Sequence, residues 1–246
     1  VWYSVRTKFS KRHSAGQGLT EFVIVFPVLM ILIFGTIQVA FIYSAKTTLN
    51  YATFQAARMG ALNGATYDGI KKGLVRGLAP LYTHGATDDE MFAGVARALF
   101  EVENFTRITR INPRVAHFGP HGTYDSEVSD VVIPNDNLMY RDASVGAISI
   151  QDANLLKIQV EYCYPLMVPI VDRFLATINQ QTGELFGPNV IVTQSRNAKD
   201  YDTICAGVRG AGNAGFIITS EAVVRMQSAA QKADEDCGKT EFSCRP

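Results

Sequence analysis

The chain has no Cys-x-x-Cys pair, one tryptophan and four histidines, and from Phe22 to Ala45 it has no Asp, Glu, Lys, Arg or His. The first absence removes the usual ligand spacing of structural zinc, and the histidines lie apart from the cysteines, so no metal is expected. No nucleophile elbow, phosphate loop or catalytic triad is legible, and the reading is of a protein that is not an enzyme and needs no cofactor. Gly210-Ala211-Gly212-Asn213-Ala214-Gly215 formally fits a dinucleotide fingerprint. The fingerprint requires a helix directly afterwards, whereas Phe216-Ile217-Ile218-Thr219 reads as extended, so the segment is taken as a flexible loop. His117 and His121 are separated by Gly119-Pro120 and are expected to be surface loop residues. Net charge is zero and no domain carries a basic patch, which excludes nucleic acid as a partner. There is no internal repeat and no low-complexity linker.

What is present is concentrated at the N-terminal end. The 24 uncharged residues Phe22–Ala45 make a helix of about 36 Å, enough to cross a hydrocarbon core of about 30 Å. The run is too long for the apolar region of an ordinary signal peptide. Before it lie Arg6, Lys8, Lys11 and Arg12 with no acid, which orients the N-terminus to the cytoplasm and the remainder outside. Glu21 stands at the mouth of the apolar run, and a carboxylate in that place is expensive in lipid unless it has a task. Pro27 interrupts the run and can kink a helix, an irregularity that membrane helices tolerate. Gly35, Thr36 and Gln38 are candidates for close packing or hydrogen bonding to a partner helix.

Gly16-Gln17-Gly18-Leu19-Thr20-Glu21-Phe22, followed by Pro27 and later by Ala56-Ala57-Arg58-Met59-Gly60-Ala61, resembles the N-terminal region of TadE-like minor pseudopilins of the tight-adherence (Flp, type IVb) pilus system. The resemblance covers residues 16–65. It implies a bacterial inner-membrane protein with a single span and a periplasmic or extracellular head, cleaved between Gly16 and Gln17 by a prepilin peptidase. It further implies assembly with other pilins and pseudopilins on an inner-membrane platform, within the lipid bilayer, with a place in surface adhesion and biofilm growth. Glu21, Phe22 and Pro27 would be the assembly residues. Cleavage would leave 19 basic and 23 acidic residues and free an α-amino group at the membrane edge. Pairing of that amine with the Glu21 carboxylate of a neighbouring subunit would set axial register, because removing one partner strands the other charge. The alternative is a membrane-anchored extracytoplasmic enzyme, or an adhesin or ligand-binding module, whose anchor is never cleaved.

The expected organisation is a basic leader over residues 1–16, a transmembrane and stalk helix over 17–65, and an α+β head over 66–246 built on an antiparallel or mixed sheet with helices. Ala52, Ala56, Gly60 and Gly64 recur every four residues and make a face of small side chains, expected to pack on the protein's own head, with another subunit as the alternative. Helices are predicted over 67–81 and from Asp88 to about Asn104. Strands are predicted over 106–111, 131–133, 145–150, 155–164, 190–194 and 216–219, with a short helix over 170–179 and a last helix over 220–232. Cys163, Cys205, Cys237 and Cys244 all fall on the exported side, where disulfides form. Three pairings are possible, and the expected one joins Cys237 to Cys244 and Cys163 to Cys205.

Overall fold

A single helix, α1 (Gln17–Leu62), carries the chain from the apolar run into the head without a break, passing through Pro27. The computed structural model describes residues 17–146, 148–168, 205, 215–232, 237 and 242–244. The helix ends where Gly64 (φ +66°) and Ala65 (φ +58°) take left-handed backbone and Ala65 N donates back to Gly60 O. Gly64 therefore does not extend the small-residue face as the four-residue spacing suggests: it is the turn itself, a conformation that costs glycine least.

Thr66 then caps α2 (Tyr67–Tyr82), accepting from Gly69 N through its side chain. A Cβ on Gly73 would lie 2.7 Å from Ala56 Cα, and one on Gly77 would strike the Ala52 backbone. Rising numbers on α2 thus meet falling numbers on α1, so the two helices are antiparallel and α2 runs back toward the apolar run. The glycines that weaken α2 as an isolated helix are what let its backbone approach Ala52 and Ala56, while Ile70 packs on Gly60. Thr87 caps α3 (Asp88–Phe105), which packs on α2 and leads into the sheet.

The main sheet is mixed and ordered β5-β4-β1-β7, from β1 (Thr106–Asn112), β4 (Leu155–Pro165), β5 (Gly215–Arg225) and β7 (Phe242–Cys244). β4 pairs antiparallel with β1 and β5, and β7 adds parallel to β1. A second sheet joins β2 (Thr123–Asp125), β3 (Asp130–Ile133) and β6 (Ala230–Gln231). The helices cover one face of the main sheet, with Leu156, Ile158, Val160 and Tyr162 of β4 buried beneath them. Arg110 is also fully buried on β1, where it donates to the carbonyls of Ala65 (3.3 Å), Gln231 (3.1 Å) and Lys232 (2.9 Å). These charge-assisted bonds join the α1–α2 turn to the second sheet. The fold class is the expected α+β: a long apolar helix followed by a head of helices and mixed sheet.

Three further expectations are overturned. Residues 220–232 are not a helix: β5 continues to Arg225 because it has all of β4 to pair with, from Pro165↔Gly215 to Leu155↔Arg225. Residues 145, 146 and 148–150 are not in a strand. Ser149 accepts from Asp152 N and caps the short helix α5 (Ile150–Ala153). His121 is buried rather than on a surface loop, ending the one-turn helix α4 (Phe118–His121) with its Nε2 2.8 Å from Ile148 O. Pro120 is tolerated there because a first helical turn needs no amide donor. The helix expected over 170–179 and the strand over 190–194 lie outside the described residues, as do Gly16 and the rest of the leader.

Candidate functional site

From Leu19 to Phe34, α1 exposes large apolar side chains around its whole circumference, including Phe22, Ile24, Val25, Leu29, Leu32 and Phe34. A helix that rests on a soluble core shows one apolar stripe; one that is apolar all round needs an apolar solvent or a bundle of similar helices. The stretch is long and apolar enough to cross a membrane. Thr36 is satisfied within the helix itself: its Oγ1 donates to Ile33 O at 2.8 Å, as Thr side chains do within membrane helices. A Cβ on Gly35 would meet nothing, so that glycine leaves an open notch.

Of the residues singled out in the sequence, Gln17 begins α1, and Glu21 is exposed in its second turn. Phe22 and Phe26 stack one helical turn apart with ring centroids at 5.1 Å, next to Pro27. The exposed apolar surface and the carboxylate therefore occupy one end of one rigid helix. Ala52, Ala56 and Gly60 lie at the other end, buried against α2 and β4. Cys163 bonds Cys205, and Cys237 bonds Cys244, so all four cysteines are oxidised.

Residues 16–58 match the TadE-like protein family. The TadE-like segment begins at the glycine before α1 and ends within its head-docked half, on the stretch whose motifs carry the sequence resemblance. That family consists of Tad pilus-associated proteins. No curated protein and no solved structure matches the chain.

One residue of the TadE-like segment does something other than the sequence suggests. Gln38 is fully buried, and its Oε1 accepts backbone N–H bonds from Met167 (3.2 Å) and Val168 (2.9 Å). It faces the protein's own head rather than a partner helix. Gln38, Ile42, Ala45, Leu49, Ala52 and Ala56 form the docked seam at alternating steps of four and three. The lone amide lies one heptad before Ala45 on that seam, a signal present in the sequence but visible only once the seam is known.

The head also has a shallow groove of about 360 Å³ beside the α1–α2 turn, lined by Leu62, Asn63, Thr66, Val128 and Gln231 among others. None of its lining side chains titrates. Among the described residues no cluster of His, Cys, Asp and Glu is arranged to hold a metal ion.

Proposed function

We propose that this protein is a minor pilin or pseudopilin of a tight-adherence, type IVb pilus, with residues 1–16 as leader, 17–65 as span and stalk, and 66–246 as head. The observation that carries this reading is the exposed apolar half of α1 with Glu21 near its N-terminal end, on the segment that matches the TadE-like family. A prepilin peptidase cleaves after Gly16 and makes Gln17 the first residue. The new α-amino group and Glu21 of a neighbouring subunit then pair in a low-dielectric setting, where a lone charge of either sign is costly. Phe22 and Pro27 shape the same helix end for packing against other pilins. The basic leader holds the N-terminus in the cytoplasm and the head lies outside the inner membrane. Its contribution is to pilus assembly and, through the pilus, to surface adhesion; it catalyses nothing itself.

The experiment is N-terminal sequencing of the protein from its native membranes, with and without the prepilin peptidase. The expected outcome is a start at Gln17 that disappears when the peptidase is removed. An intact leader in both strains would refute the assignment and favour an uncleaved anchor carrying an enzyme or a binding module.

A further inference from the structure

The head touches α1 lower than a membrane boundary allows if the whole head stands in water. β4 descends along α1 from Leu156, which packs on Gly60, to the tripeptide Leu166-Met167-Val168 beside Gln38. From Phe22 to Gln38 is 16 residues, or about 24 Å of helix rise, and a hydrocarbon core is about 30 Å thick. With Glu21 at the inner edge, Gln38 lies roughly 6 Å inside the outer edge, and helix tilt only deepens it. The tripeptide stands at the same depth.

Its chemistry suits that depth. Irregular backbone is tolerated in the hydrocarbon only where its polar groups find partners within the protein. Met167 N and Val168 N both find one in the same side-chain oxygen of Gln38. Leu166 and Val168 are buried against the protein, whereas Met167 is 63% exposed and points away from it. On α1, Phe41 and Tyr43 are exposed at and just above this depth, and Tyr favours the membrane–water interface.

We propose that Leu166–Val168 is a second membrane contact: a foot of the head that enters the outer leaflet of the bilayer beside the span, with Met167 among the acyl chains. Gln38 is the positioning residue that lets its backbone do so. The inference rests on the reading of α1 as a membrane span.

The test uses the full chain, with its single tryptophan removed as W2F, in phosphatidylcholine nanodiscs whose acyl chains are brominated. One tryptophan is then placed in each of three variants. F34W reports the span, M167W the foot, and M139W the far end of the head, where Met139 is 86% exposed near the upper end of β4. Strong quenching of F34W and M167W with none of M139W is the expected result. A quenched F34W with M167W as bright as M139W would overturn the foot and leave the span intact. An unquenched F34W would remove the span itself, and the inference with it. Adding Q38A to M167W removes the acceptor for two amides, and its quenching is expected to fall several-fold while that of F34W is unchanged. Undiminished quenching would overturn the role given to Gln38.

Discussion

His117 shows how one side chain ties local geometry to solution behaviour. Its Nδ1 accepts from Arg114 N at 3.1 Å, closing the turn that enters α4. Burial, then the charge of Arg114 and the proximity of His121, hold its pKa below the usual 6.5. The native protein thus binds fewer protons here than the unfolded chain does just below pH 6.5. Stability from this site is complete above pH 6.5 and falls as acidification proceeds below it, down through the depressed native pKa. His117→Asn keeps an acceptor near Nδ1 and cannot titrate. Thermal melts between pH 5 and pH 7.5 (roughly the range in which histidines titrate) are expected to show a shallower acid limb for the variant; parallel curves would contradict the assignment. Nothing in the sequence around His117 announced this, since Gly119-Pro120 argued for a loop and gave no sign that the loop folds inward.

Helix against helix, the decisive contact is α2 on α1. Gly77→Ala places a methyl group into the Ala52 backbone, which cannot rotate away as a side chain can. Overpacking of this kind costs about 1–3 kcal/mol, and chemical denaturation of the head in mild detergent is expected to show a loss in that range. Gly119→Ala, where a Cβ meets nothing, is the matched control and is expected to change little. Most elements were legible in the sequence for simple reasons. α2 and α3 begin at capping threonines, and in β4 the residues Leu156, Ile158, Val160, Tyr162 and Tyr164 fall on every second position. β5 was half legible. Ser220-Glu221-Ala222-Val223-Val224-Arg225 has fair helix formers and an acidic first turn, but Phe216, Ile218, Ser220 and Ala222 alternate inward once β4 lies alongside. Long-range pairing outweighs local preference there, and no window of the sequence contains the partner strand. Of the small residues spaced by four, Ala52, Ala56 and Gly60 lie within α1 and Gly64 lies in the turn beyond it, because periodicity does not reveal where a helix stops.

Across the whole molecule, two disulfides constrain very different lengths of chain. Cys163–Cys205 closes 42 residues and Cys237–Cys244 closes 7. On the chain-entropy account, the long loop contributes about 4 kcal/mol and the short one about 2 kcal/mol. The paired variant C163A/C205A is therefore expected to lower the denaturation midpoint more than C237A/C244A does, and the reverse order would show that local packing outweighs loop length. The long apolar helix was legible from a bare stretch of uncharged residues, and the TadE-like match of residues 16–58 from a few motifs. The depth at which the head meets it was not, since that depends on Gln38 meeting residues more than a hundred positions away.

The continuity of α1 has a mechanical side. Forty-six residues make a rod about 69 Å long, and no joint interrupts it between the apolar end and the sheet. The head is bolted to that rod along a closely packed seam, with Lys46 reaching the Thr219 carbonyl of β5. An axial pull on the buried end is therefore delivered to the sheet without slack, and a twist of the rod turns the head through the same angle.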